Sequence, residues 1–599
     1  MDVLTAAPSP SRQRNLWERR KARCFGRSRK RIAASAAPTR ARSEAALLEK
    51  LVRLLLCALL LAGWCASAHA DDSLLLARLD GAQASLVKLG SNGSQRVLPF
   101  DDSLRTPLGS LWKVFVHAYL LDREISDAGY QCSGGNREEV YCCEPGEKIH
   151  RDTALVRSCS LYYAPARLGI DGVAWRSYWT QRKAPAWLLD LKSLLPATEV
   201  PVLELLRVLQ QLPKQAEIRA GLLDVVLQAD KADVLSALGS RLRIKTWSWH
   251  RADDPAARIG GFAGWLSDGS PIWASASGTS QSVLQGYASA LDRTLATPWP
   301  IEDSACVRVN MFARYPIVAV RQHDQLVTQG RLLGQYQLQF AAGNRFEIAS
   351  AGELTLSGQD EAWTITAQLS VEDYVARVLE REASTEPVQA ARALAIVIRS
   401  YLQQNAQRTG GCLQIDDSSA SQRVAARPAS AAARQVAAWT ADLVLAGPAV
   451  QYHLQRGGRD RLSWTDAVKA ANGGQNYAQI LGSAFTRSNL ARWGRPQATC
   501  HPLPAAERWL LERLPRWRAA LNSEVGYTET DELQVCQLQH GRPHVEREAR
   551  RIHIRGLRSE QDRLDLLHEY LHLAFATHPN GQDETFVETL ARRLLLESP

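Results

Sequence analysis

The stretch His568-Glu569-Tyr570-Leu571-His572 decides how the end of this chain is read. It lies in a segment where Leu564, Leu567, Leu571 and Phe575 recur at helical spacing. Ser559 with Asp562 supplies a capping-box start just before it. Residues four apart share a helix face, so His568 and His572 can hold one metal ion between them. Glu569, one step round the helix, is then placed to take a proton from a water at that ion. The competing reading is a buried helix that happens to carry two histidines.

Working outward, Arg551-Ile552-His553-Ile554-Arg555 alternates as a strand that stops at Gly556 and feeds the helix, with His553 read as a strand residue. Pro579-Asn580-Gly581 then turns the chain, and a second helix is predicted from about Asp583 to Leu596. H-E-x-x-H with this order resembles the zincin metallopeptidases, and the resemblance implies bound Zn2+ with Glu569 as general base. Phe586-Val587-Glu588-Thr589-Leu590-Ala591 resembles the following helix of the gluzincins. That implies Glu588 as third metal ligand and Glu584, one turn earlier, as a hydrogen-bond partner of a ligand histidine. The alternative third ligand is His578, at the metzincin spacing, although Phe575 stands where that pattern has glycine.

The chain has 599 residues, 45% of them hydrophobic, and a formal charge of +10. Its length suggests roughly four domains of ~150 residues. Residues 1–70 carry 14 Lys and Arg against 4 Asp and Glu, which accounts for the whole excess. The remainder is formally neutral, so no nucleic-acid partner is expected. The apolar run 51–62, with Lys50 and Arg53 at its front, is too short to span a membrane comfortably. With Ala66-Ser67-Ala68-His69-Ala70 behind it, it reads as a signal peptide with a mature start at Asp71. The basic stretch 12–42 is long for such a leader, and a start codon assigned too far upstream would explain it. The expected compartment is a bacterial periplasm. Eight cysteines remain after the leader, an even number that suits disulfides there. Cys132, Cys142, Cys143 and Cys159 are expected to pair among themselves, and Cys500 with Cys536.

In residues 71–300, hairpin strands up to Phe100 precede Ser110-Leu111-Trp112-Lys113, an S-x-x-K pair at the start of an apolar helix. A neutral lysine one turn from a serine can take its proton. With Arg157-Ser158-Cys159-Ser160 and Ser275-Ala276-Ser277-Gly278-Thr279 this stretch resembles the penicillin-binding transpeptidases. By that resemblance Ser160 replaces the asparagine of the S-x-N region, and Ala276 replaces the K-T-G lysine. The expectation is therefore a transpeptidase-like α/β fold whose Ser110 and Lys113 are a remnant, Ser110 serving as a helix N-cap.

Residues 303–490 begin with short alternating strands up to Thr366 and continue with two helices, one from Val371 and one from about Pro387 to Gln404. The stretch 371–382 (Val371-Glu372-Asp373-Tyr374 to Glu382), the stretch 390–401, the Asp416-Asp417 loop and Gly474-Gln475-Asn476-Tyr477 resemble the sporulation stage II protein D/LytB amidase-enhancer family. In its catalytic members the residue matching Glu382 is the acid that cleaves glycan strands. The Cys and His that many members carry near the Asp417 loop are absent here, which points to glycan recognition over cleavage.

The chain is thus read as multidomain α+β: a leader (1–70), a transpeptidase-like domain (71–300), a stage II protein D/LytB-like β plus helical domain (303–490) and a zincin-like α+β domain (500–599). The arrangement also resembles a family of exported bacterial proteins found beside bacterial α2-macroglobulins. Together these imply an envelope protein carrying a zinc peptidase that acts near peptidoglycan or on an envelope protein. The alternatives are a non-catalytic peptidoglycan-binding scaffold and glycan cleavage through Glu382.

Overall fold

The computed structural model describes residues 73–597, apart from 144–146, 229–230, 298, 301–305, 360–361, 459, 495–499, 501, 531–532, 539–542 and 548–549. The leader, its apolar run, the cleavage site before Asp71 and the leader cysteines lie outside the described residues.

The first sheet has six antiparallel strands in the order Gln95–Leu98, Gln83–Gly90, Ser73–Asp80, Pro271–Ser277, Asp254–Leu266, Leu242–Arg251. Side chains alternate across a strand, and here both faces are apolar. Leu74, Leu76, Ile244, Phe262, Ile272, Ala274 and Ala276 lie in one core. Ala77, Leu79, Trp247, Trp265 and Trp273 lie in another, together with Trp112, Val114 and Phe115 of the Trp112–Asp122 helix. The helical insertion between the two edge strands, Gln95–Leu98 and Leu242–Arg251, reaches both faces: Leu205, Leu206 and Leu222 enter the second core, and Leu223, Val234 and Leu238 enter the first.

The second sheet has eight strands, antiparallel except where Cys306–Met311 runs parallel to Cys412–Asp416. The helices Val371–Glu382 and Val388–Asn405 follow it as the periodicity predicts. Ser370 caps the first by accepting from Asp373 N, and Tyr374, Val375, Val378 and Leu379 bury its inner face. Between the two helices Arg399, fully buried, donates from Nε to Glu372 Oε1 at 3.0 Å and from Nη1 to the Leu443 carbonyl at 2.9 Å.

The core on the first face of the six-stranded sheet runs without a break into this second region. Ser240 Oγ donates to the Trp439 carbonyl at 3.2 Å, Tyr477 Oη to the Leu235 carbonyl at 2.9 Å, and Arg243 pairs with Asp442 at 2.8 Å. Gly239 (φ 57°) sits so close that a Cβ would stand 2.5 Å from the Trp439 carbonyl oxygen. The close approach requires glycine there.

The C-terminal region packs around a core of its own. Its long helix Pro504–Asn522 is followed by a three-stranded sheet ordered Gln534–Gln537, Arg551–Ile554, His544–Glu546, then by the helices Glu560–Ala574 and Glu584–Glu597. Among the described residues four disulfides tie the chain: Cys132–Cys143, Cys142–Cys159, Cys306–Cys412 and Cys500–Cys536. The clustered four do pair among themselves, as does Cys500 with Cys536.

Removing one partner of a buried ion pair strands the other charge, at a cost of about 3–5 kcal/mol. Glu372→Ala is therefore expected to lower the urea midpoint strongly, because Arg399 has no exposure through which to reach water. Denaturation of the variant beside wild type checks this.

Candidate functional site

Among the described residues three polar constellations answer to the sequence motifs. In the first, the Glu560–Ala574 helix starts with the expected capping box between Ser559 and Asp562 and carries His568, Glu569 and His572 in its last turns. The Nε2 atoms of His568 and His572 face one another at 3.0 Å. Each ring is held from its other side. His572 Nδ1 meets the Gly581 carbonyl at 2.9 Å, and His568 Nδ1 meets Glu588 Oε2 at 3.1 Å. The carbonyl and carboxylate at the two Nδ1 atoms suit Nδ1–H tautomers, in which both Nε2 atoms offer lone pairs to a cation between them.

The third oxygen in this gap belongs to Glu584, not Glu588. Glu584 Oε2 lies 3.2 Å from His568 Nε2 and 3.5 Å from His572 Nε2. A tetrahedral ion with bonds of ~2.0–2.1 Å sets its ligand atoms roughly 3.3 Å apart, so the three atoms fit a zinc-sized ion. Glu588 stands behind His568 and is held by Arg592 at 2.6 Å. The roles given to these two glutamates by the sequence pattern are thus exchanged in position. His578 does not enter the gap: its Nδ1 accepts from Asn580 N at 3.2 Å, and its ring lies against Gly526. Gly581 has no room for a side chain, since a Cβ would stand 2.2 Å from the Phe575 carbonyl oxygen. Glu569 is buried, and burial, with the Glu584 and Asp565 charges adding, pushes its carboxyl up to about 8.

The second constellation lies at the start of the Trp112–Asp122 helix. Ser110 sits in a short 3-10 turn, Gly109–Leu111, and caps nothing: the residues at both N-cap positions have no side-chain cap bond. Lys113 Nζ instead donates to Ser110 Oγ at 3.1 Å and to Ser158 Oγ at 3.1 Å. Burial pushes the Lys113 amine down to about 7, with Glu138 opposing weakly.

The match of Ala276 to the K-T-G lysine does not survive the topology. Ala276 points into the core on the face away from Lys113, on a strand two removed from the sheet edge. The edge strand Leu242–Arg251 is the one that packs on the Ser110 turn, where Trp247 Cβ would stand 3.1 Å from a Cβ at Gly109. That strand carries Lys245-Thr246-Trp247. Lys245 is fully buried on the same face as Trp247, and burial, with the Lys113 charge adding, drives its amine well below the usual lysine range. Sequence reading missed it, although a lysine alternating with Trp247 and Trp249 in an apolar strand was the available signal.

The third constellation surrounds Glu382, the last residue of its helix. Its Oε1 accepts from Arg423 N at 2.8 Å and Nε at 3.1 Å, and its Oε2 from Arg423 Nη2 at 2.8 Å. The loop that brings Arg423 there is pinned by Asp417, whose oxygens accept from Val424 N at 3.0 Å and Phe312 N at 3.1 Å. Three donors from one residue leave Glu382 as an acceptor, so acid chemistry would require Arg423 to move away.

Comparison with known proteins places these elements in a wider group. The description "Predicted secreted protein (DUF2300)" matches residues 134–256 and 460–580, and "Stage II sporulation protein" (SpoIID) matches residues 359–446 between them. With the four disulfides, these matches define an exported, periplasmic, multidomain protein with a SpoIID domain. No helix among the described residues is long and apolar enough to cross a membrane. The "Uncharacterized protein YfaQ" of Escherichia coli (strain K12) is 48% identical over 531 residues, 88% of this chain and 97% of that one, and the chain belongs to its family. Similar solved structures include a class D β-lactamase from Bacillus subtilis (TM-score 0.27, 14% identity) that covers 38% of this chain and 96% of its own. The C-terminal domain of the Bacillus licheniformis BlaR penicillin receptor is similar too (TM-score 0.24, 15% identity), covering 37% of this chain and 89% of its own.

Burial holds the Lys113 amine down at about 7 in the folded chain, against 10.5 for an ordinary lysine. The unfolded chain then holds more protons across that window, so Lys113 contributes stability that rises with pH from about 7 to 10. Lys113→Met should gain on wild type at pH 6, and its advantage should shrink as pH rises. Urea midpoints of both proteins at pH 6, 8 and 10 read this out.

Proposed function

We propose that this protein is a periplasmic cell-envelope peptidase whose C-terminal region uses a zinc-type ion held by His568, His572 and Glu584, with the SpoIID domain associating it with peptidoglycan. The reading is carried by one observation: two Nε2 atoms 3.0 Å apart and a carboxylate oxygen within 3.5 Å of both. When bound, such an ion acts as a Lewis acid and acidifies water to a pKa of ~7. Glu569, on the same helix turn, is the group that takes and returns a proton. Glu588 and the Gly581 carbonyl hold the histidine rings in the tautomer that leaves Nε2 free. The Arg423-bound Glu382 supports glycan recognition by the SpoIID domain in preference to glycan cleavage.

A second reading rests on the Ser110–Lys113–Ser158 contacts: a serine–lysine acyl-transfer site, with the half-buried Ser110 as nucleophile and neutral Lys113 as its base. Labelling of Ser110 by a fluorescent penicillin, rising as pH passes through 7 and absent in Ser110→Ala, would support it.

For the leading reading, Glu569→Gln should keep stoichiometric zinc and lose peptide hydrolysis, because a base is removed but no ligand. Glu584→Ala should lose the ion, whereas Glu588→Ala should keep it with ~10–100-fold weaker affinity. Metal analysis with a quenched-peptide assay checks all three. A wild-type chain that holds no stoichiometric metal would return the protein to a peptidoglycan-binding scaffold.

A further inference from the structure

The three-residue edge strand His544–Glu546 of the C-terminal sheet carries a second cluster of metal-ligating side chains. It pairs antiparallel with Arg551–Ile554, His544 opposite His553 and Glu546 opposite Arg551. Residues two apart on a strand share a face, and a direct cross-strand partner stands ~5 Å away on that face. His544, Glu546 and His553 therefore emerge together. Their rings and carboxylate are close. The two imidazoles stack with centroids 4.6 Å apart and planes 5° from parallel, and His553 Nε2 is 3.6 Å from Glu546 Oε2. One donor atom from each of the three lies within 4.8 Å of the others.

His553 is 2% exposed, yet among the described residues neither ring nitrogen has a partner within 3.5 Å, the Glu546 carboxylate at 3.6 Å from Nε2 being the group that faces it. A buried polar atom left in that state costs about 1–3 kcal/mol, so it asks for an explanation. The hydrolytic site proposed above does not supply one. His553 alternates with Ile552 and Ile554, which enter the core beside the Glu560–Ala574 helix, so the cluster projects from the opposite face of the sheet. That face is closed over by Cys536, the other cross-strand neighbour of His553, and its disulfide to Cys500.

We propose that His544, Glu546 and His553 form a second binding site for a divalent transition-metal ion, distinct from the His568–His572 pair. Two imidazoles and one carboxylate suit zinc, cobalt and nickel and do not suit calcium or magnesium, which take oxygen ligands. Capture turns the half-buried His544 ring from its stacked position towards the gap between His553 Nε2 and Glu546 Oε2. The ion fastens a strand that is paired on one side only. The next residue, Arg547, donates to the Gly581 carbonyl at 2.8 Å, the same carbonyl that holds His572.

The test uses the full chain with His568→Ala and His572→Ala, which removes the first pair of histidines. Titrated with Co2+ and followed by visible absorption, this variant should bind one ion per chain. Adding Glu546→Gln, which alters no core side chain, should weaken binding at least tenfold, and adding His544→Asn should do the same. Thermal melts of the metal-free variants should coincide, which separates lost ligands from lost folding. The proposal is overturned if the double variant binds no ion while wild type binds one, an outcome that leaves the peptidase reading standing. It is equally overturned if binding is unchanged by both added substitutions. One ion retained by the double variant but none lost in going from wild type to it would support the second site and sink the first.

Discussion

Because the six-stranded sheet is apolar on both faces, it can be stable only with a layer on each side, and that requirement organises residues 73–490. The helical insertion supplies most of one layer. The other combines the end of the insertion and the helices Ser280–Gly286 and Ala288–Thr294 with a core shared with the SpoIID region, sealed by Ser240 on the Trp439 carbonyl and by Arg243 on Asp442. Two stretches that read as separate domains are thereby fused, and the SpoIID match lies between the two halves of the other family match. The C-terminal region, with its own core, is the part that does not share this dependence.

The polar sites all resolve a local conflict between burial and charge. At Ser110 two lysines, Lys113 and Lys245, are buried on one face of the sheet, and neither can carry its charge cheaply. Burial alone pushes the Lys113 amine, next to a serine oxygen, down to about 7, and the Lys113 charge adds to burial at Lys245. At His568 and His572 two ring nitrogens are brought within 3.0 Å of each other, each ring oriented by a partner on its far side. Glu382 shows the opposite solution, with an arginine brought in to fill both oxygens.

What could be read from the sequence was what is local. The helices Val371–Glu382, Val388–Asn405 and Glu560–Ala574 follow from spacing and from caps at Ser370 and Ser559, which act within a few residues. The order of strands in a sheet is not local. The strand that carries Lys245 packs on the Ser110 turn because it lies at the sheet edge, more than a hundred residues along the chain, so a match by order and spacing settled on Ala276 instead. Glu584 and Glu588 illustrate a different limit. They are four apart and share a helix face, so spacing cannot say which one reaches the Nε2 atoms and which one the far nitrogen. The turn at Gly581 decides that, and its tightness against the Phe575 carbonyl is visible only in three dimensions.

Cys142 and Cys143 are adjacent in the chain but belong to different bridges, to Cys159 and Cys132 respectively. Exchanging their partners moves each crosslink by a single residue, so chain entropy scarcely distinguishes the correct pairing from its neighbour. Selection between the two falls to packing around Cys159, the residue next to Ser158, whose backbone is held at φ 63°. The Ser158 hydroxyl that Lys113 contacts thus sits one residue from a crosslink, so the placement of that contact is tied to which of two adjacent cysteines Cys159 pairs with.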